Sequence, residues 1–215
     1  LLFCRTGDLL ESALDTMRTN RIYRLFVNEE SSDNVTGLLA YPDIVGLLYQ
    51  YCHSCKHSIL KRRSSSGQAE ENWMRVKDVM TNSVTSFSEG DTLYQIMETL
   101  AAQRFTAVLI REGNDRPVGV ISKTDLILAY LHGLDPAAEA KTLLHSPRII
   151  SCDENTFLES AIQQIVLTDR QRLFVYRSDP ENIVGVFSIS DAARARSGSC
   201  HACLSSRILK KGAGL

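Results

Sequence analysis

The sequence predicts an α/β fold built from three copies of one β-α-β-β-α unit. Three observations carry this. The heptad Gly-hydrophobic-hydrophobic-x-x-x-Asp occurs at Gly37–Asp43, Gly119–Asp125 and Gly185–Asp191. Ahead of each lie an apolar run of helical period, a run of strand composition and a turn. The first and third copies also superimpose at a shift of 148 residues, which carries Cys4 onto Cys152, Cys52 onto Cys200 and Cys55 onto Cys203. An internal repeat of this kind fixes the architecture before any single residue is interpreted.

The middle copy is the most legible. Val76–Met80 leads into a strand expected over Asn82–Phe87. Ser88-Glu-Gly-Asp91 has the form of a helix start. Leu93, Ile96, Met97 and Leu100 then fall at i, i+3, i+4 and i+7, which is one face of a helix. Thr106–Arg111 and Pro117–Ser122 read as strands around the polar turn Glu112–Arg116, and Asp125–Leu131 reads as a closing helix stopped near Gly133 and Pro136.

The outer copies repeat this plan. From Ile149 the third places Leu158, Ala161, Ile162 and Ile165 on its helix face, with strands at Leu173–Tyr176 and Ile183–Phe187 and a turn at Ser178–Asn182. The first uses Leu10, Ala13, Leu14 and Met17, then Leu25–Val27 and Val35–Leu39, and lacks a lead-in matching Val76–Met80. Lys61–Glu71 is polar and poor in apolar residues, as a linker is. The expected division is a repeat at 1–60, a linker at 61–74, repeats at 75–135 and 136–205, and a tail at 206–215.

Composition narrows the function classes. The chain is 44% hydrophobic and 23% charged, as ordinary globular proteins are. A formal net charge of −1 supplies no field to draw in nucleic acid. No apolar run reaches the length of a membrane span. No Ser-His-Asp or Cys-His-Asp arrangement and no Walker-type glycine loop can be argued, so an enzyme is not expected. Units of about 60 residues are marginal alone and need neighbours.

Val76-Lys-Asp-Val-Met-Thr81, the turn-separated strands and Gly119-Val-Ile-Ser-Lys-Thr-Asp125 together resemble the CBS domain, named after cystathionine β-synthase. The likeness covers nearly the whole chain outside linker and tails. It implies repeats paired through their sheets, with an adenine nucleotide in the cleft between partners, and a cytoplasmic regulatory module. The family's ribose-binding Asp and neighbouring Ser or Thr carry over to Asp125 with Ser122 and to Asp191 with Ser188. Asp43 stands in the same place in copy one, where Ala40 replaces the Ser and Pro42 precedes the Asp. The base would lie near Val84, Thr106 and Ala107. AMP, ADP or ATP, S-adenosylmethionine and an NAD-type ligand are all compatible with the resemblance.

The physics of such a site is sound. A carboxylate accepts hydrogen bonds from a cis-diol, and a helix N-terminus offers free N–H groups and a favourable dipole to phosphate. The same Ser-x-x-Asp pairs are capping boxes in form, each worth about 1 kcal/mol to its helix with no ligand at all.

The cysteines form a second constellation. Cys52-His-Ser-Cys55 mirrors Cys200-His-Ala-Cys203. Two such pairs could complete a zinc or iron–sulfur site, or each could act as a redox dithiol, or all could be small buried groups closing the last helices. His57, His132 and His145 stand singly, and Lys61–Arg63 and Lys210–Lys211 read as solvated tails. Trp73 reads as a packing anchor. Copies two and three are expected to form one paired module. The sheet of copy one then lacks a partner, to be met by a homodimer or by a fourth repeat upstream.

Overall fold

The computed structural model describes residues 1–31, 34–52, 74–144 and 149–200, the side chains of 47–52 and 195–200 excepted. Each copy is a three-stranded sheet with two helices. Copy one comprises β1 (Phe3–Arg5), α1 (Leu10–Thr19), β2 (Arg24–Asn28), β3 (Val35–Ala40) and α2 (Tyr41–Cys52). Copy two comprises β4 (Ser86–Ser88), α3 (Leu93–Ala102), β5 (Ala107–Glu112), β6 (Arg116–Ser122) and α4 (Lys123–Leu131). Copy three comprises β7 (Ser151–Asp153), α5 (Leu158–Leu167), β8 (Arg172–Arg177), β9 (Asp179–Ser188) and α6 (Ile189–Cys200). The sheet orders are β1-β2-β3, β4-β5-β6 and β7-β8-β9. In each sheet the first strand pairs parallel with the second, across the helix that joins them.

The helix periodicity reads out as burial. Ala161, Ile162 and Ile165 of α5 are at most 1% exposed, and Met17 of α1 and Ile96 of α3 are fully buried. Each Ile or Met side chain so buried contributes about 1.5–3 kcal/mol by leaving water. Met97 departs from the expected face of α3 and is 43% exposed. Gly133, at φ +74°, stops α4, and the Leu134 N–H donates to Ala129 O, which is the hydrogen bond of a Schellman end.

Three boundaries differ from expectation. The first turn of α3 is capped by Thr92 and Gln95, so the helix begins after Ser88–Asp91 rather than within it. Ser88 and Asp91 instead close a turn behind β4, the Ser88 N–H donating to Asp91 Oδ2 at 2.7 Å. The expected strand Asn82–Phe87 is reduced to Ser86–Ser88, because Thr81 exchanges two backbone hydrogen bonds of 2.9 Å with Val186 of β9 before the chain joins its own sheet. The turn of copy three tightens to Ser178 at φ +64°, and β9 begins at Asp179.

The chain divides into two compact units, and the division does not follow the repeats. One unit takes Leu1–Met80, Asn155–Leu173 and the chain from Phe187 onward. Here the helices of copies one and three pack together, α2 against α5 and α6, and α1 against α6. The lead-in of copy two belongs to this unit too. Val76 is fully buried and its N–H donates to Thr156 O, while Leu158 N–H donates to Met74 O and the Arg75 guanidinium lies 4.7 Å from the Phe157 ring centre.

The other unit takes Thr81–Glu154 and Phe174–Val186. One core lies between α3, α4 and the sheet of copy two: Leu93, Ile96, Leu100, Val108, Ile110, Ile121 and Leu126, closed by Ala140. On the opposite face of that sheet, Leu109 meets Phe174 and Ile183 of copy three, flanked by Val84, Val120 and Val186. Copies two and three are therefore paired through their sheets, as expected.

Candidate functional site

Register gathers one end of copy two. Ala107 of β5 lies opposite Ser122 of β6, and Lys123 N–H donates to Thr106 O at 2.9 Å. Leu109 N–H donates to Thr85 O at 3.2 Å, which lays the Val84–Thr85 segment alongside the same strand. Val84, Thr106, Ala107, Ser122 and Asp125 thus converge where β6 turns into α4. Val84 also packs in the cluster between the sheets of copies two and three.

At the helix start Asp125 Oδ2 accepts from the Ser122 N–H and from Ser122 Oγ, each at 2.7 Å, and Ser122 Oγ accepts from Asp125 N–H at 3.3 Å. This capping box is real and holds the carboxylate in one orientation. It uses only one of the two oxygens. Asp125 is exposed, and Oδ1 has no partner among the described residues. A capped and a ligand-binding aspartate are therefore compatible here.

The other two aspartates divide. Asp43 is exposed, and its Oδ2 accepts from Ala40 N–H at 2.9 Å, with no Ser hydroxyl to share it. Asp191 is only 5% exposed. Its Oδ2 takes the Ser188 N–H at 2.9 Å and Ser188 Oγ at 2.5 Å, while Oδ1 is ion-paired with Arg194. Around it, within the same unit, stand Tyr41, Tyr23 and Arg172. The Tyr41 and Tyr23 rings meet edge to face at 6.1 Å. Burial pushes the Tyr41 phenol up, partly offset by Arg194, and burial lowers the Arg172 guanidinium against the pull of Tyr23 and Asp191. Both oxygens of Asp191 already serve the packing of copy three.

Sequence reasoning missed this surround. The Asp-x-x-Arg spacing of 191 and 194 was a visible sign of a one-turn ion pair. The arrival of Tyr41 from copy one had no local sign.

A cleft of about 440 Å³ lies at the other end of β5, lined by Glu89, Glu112–Arg116 and Glu181. Its carboxylates disfavour a polyphosphate. Cys52 and Cys200 are the last residues of α2 and α6. Cys55 and Cys203 lie outside the described residues, as do the side chains of Cys52 and Cys200 and the whole of His53, His201 and Trp73, so the thiol site falls there entirely. Cys4 and Cys152 are both buried. Among the described residues no helix is long and apolar enough to cross a membrane.

The sheet pairing of copies two and three, with a capped aspartate at the strand-to-helix turn, is the architecture of a paired-repeat module. The chain belongs to the CBS domain family: the family's sequence profile matches residues 76–132 and 140–198. No curated protein matches it in sequence. Among solved structures, protein MJ1225 from Methanocaldococcus jannaschii, described as a putative archaeal homolog of g-AMPK, superimposes with a TM-score of 0.71 at 14% identity over 91% of this chain. This chain spans 66% of that protein's length. The CBS domain protein PAE2072 from Pyrobaculum aerophilum, complexed with AMP, matches at TM-score 0.50 and 22% identity, over 55% of this chain and 89% of its own. The CBS domain pair of MJ0100, in complex with 5′-methylthioadenosine and S-adenosyl-L-methionine, matches at 0.52 and 15%, over 59% and 98%. At these identities the likeness is one of fold.

Proposed function

We propose that this chain is a regulatory module that binds an adenine nucleotide or a related adenosyl ligand, with Asp125 holding the ribose. The observation that carries this reading is the Asp125 carboxylate: exposed, fixed by its cap, and with Oδ1 open to a hydroxyl donor. Ser122 and the first-turn N–H groups of α4 stand beside it for a phosphate. Thr106, Ala107 and Val84 offer a half-buried wall for the base. The AMP and S-adenosylmethionine complexes of similar folds support the ligand class. Asp43 is the next candidate. Asp191 and Ser188 can serve only if Arg194 gives way.

Such binding regulates only insofar as the ligand favours one arrangement of the repeats over another. The test is thermal denaturation with AMP, ADP, ATP, S-adenosylmethionine and NAD, for the parent and for Asp125→Ala. At saturating ligand the parent gains about 3–4 kcal/mol. The mutant starts about 1 kcal/mol lower from its lost cap and gains nothing. Equal ligand shifts in the two proteins would remove Asp125 from the site, and no shift with any ligand would remove the reading.

A further inference from the structure

Copies two and three build the same capping box and treat its aspartate differently. In both, the residue after the serine donates back across the sheet: Lys123 N–H to Thr106 O and Ile189 N–H to Gln171 O, each at 2.9 Å. Gln171 and Arg172 of copy three therefore stand where Thr106 and Ala107 stand in copy two. In both, Oδ2 of the aspartate accepts from the serine N–H and hydroxyl. The difference lies in the second oxygen. Oδ1 of Asp125 has no partner among the described residues, whereas Oδ1 of Asp191 takes the Arg194 guanidinium.

The surroundings decide which side of this cluster can open. Helices α1 and α2 of copy one pack against α6, and Tyr41 is buried beside Asp191. The matching helix of copy two, α4, keeps Ile127, Tyr130 and Leu131 exposed. Arg194 lies at the rim, 48% exposed, and can swing into water without disturbing the buried side chains behind it. Its charge-assisted bond sits where a ribose hydroxyl would donate, and a neutral hydroxyl donor is the weaker competitor.

We infer that Arg194 is an intramolecular plug, bound to Asp191 Oδ1 and holding shut a second adenosyl site in copy three. This rests on the reading of Asp125 as a ribose ligand, since the same chemistry is carried to Asp191. The two sites are thus unequal: one stands open, and the other opens only when Arg194 is drawn away.

Equilibrium dialysis with labelled AMP, ATP and S-adenosylmethionine tests it on the 215-residue chain. Arg194→Ala binds one equivalent more than the parent, because affinity at copy three rises by about 10- to 100-fold without the competing charged donor. Arg194→Met keeps the apolar stem but no donor, and gives the same gain should the shorter side chain unfold the protein. Adding Asp191→Asn removes the extra equivalent, since the amide oxygen keeps the cap and its NH2 replaces the free acceptor. Equal binding by the parent and both Arg194 variants overturns the inference. So does a parent that loses an equivalent on Asp191→Asn alone, or an extra equivalent that survives Asp191→Asn. Asp125→Ala separates the two readings. It removes one equivalent from the parent and from Arg194→Ala alike when Asp125 holds a ribose, and leaves both unchanged when that reading fails, whatever Arg194 does.

Discussion

Asp191 and Arg194 form an ion pair across one turn of α6, with the carboxylate 5% exposed and the guanidinium 48% exposed. The pair sits at the place where copies two and one present an exposed aspartate. Removing Arg194 leaves a buried acceptor half satisfied, and Arg194→Ala is expected to cost about 1–3 kcal/mol in urea unfolding. Asp191→Asn in that background should restore part of the loss, giving a coupling of about 0.5–3 kcal/mol in the double-mutant cycle. Simple additivity would show that the pair is not coupled.

The capping box of α4 gives a smaller effect. Ser122→Ala is expected to lower stability by about 1 kcal/mol, and Ser122→Asn, which keeps a capping acceptor, by a few tenths at most. Equal losses would mean that the hydroxyl's bond to Asp125 Oδ2, rather than the cap, carries the energy.

Gly119 and Gly37 stand at the same place in their repeats but in different surroundings. A Cβ on Gly119 would lie 2.6 Å from Leu144 Cδ2, whereas one on Gly37 meets nothing closer than Val27 Cβ at 3.9 Å. Gly119→Val should therefore cost about 1–3 kcal/mol by overpacking. Gly37→Ala should be neutral or stabilising by up to about 1 kcal/mol, through the unfolded chain. Thermal unfolding of the two variants distinguishes them.

Tyr41 supplies a pH signature. Burial raises its phenol above the ordinary value, and among the described groups facing it Arg194 and Arg18 oppose the rise while Tyr23 and Asp191 add to it. The folded state thus favours the neutral phenol. The stability this contributes is complete below the unfolded value of about 10 and is lost as pH rises through the folded one. An absorbance titration should show late-ionising tyrosine, part of it from Tyr94 through its bond to Glu98. Tyr41→Phe should remove one equivalent of it, and an unchanged late component would contradict the burial of Tyr41.

Much of the fold was legible because repetition separates signal from noise. The faces Ala13–Leu14–Met17 and Ala161–Ile162–Ile165 are local consequences of helix period and stay buried whatever they pack against. The start of α3 was misread because Ser88–Asp91 and Thr92–Gln95 both carry a capping pattern, and only the parallel pairing of β4 with β5 commits the first to a turn. Asp125 was legible as a candidate because the Ser122-x-x-Asp125 element that carries the family resemblance lies within one short stretch of chain.

The sequence alone determined the three-fold repeat, the element order and the three aspartates at the helix starts, since all rest on interactions within a few residues of chain. It set Asp43 apart through Ala40 and Pro42 but could not tell Asp125 from Asp191. The tertiary structure did so by burying Asp191 beside Arg194, Arg172 and Tyr41 while leaving Asp125 and Asp43 in water. It also decided which apolar faces are spent, covering Phe174 and Ile183 and leaving Phe3, Leu38 and Val35 exposed. The physical reason is the same in both cases: burial and pairing depend on what arrives from distant parts of the chain, and no local pattern encodes that arrival.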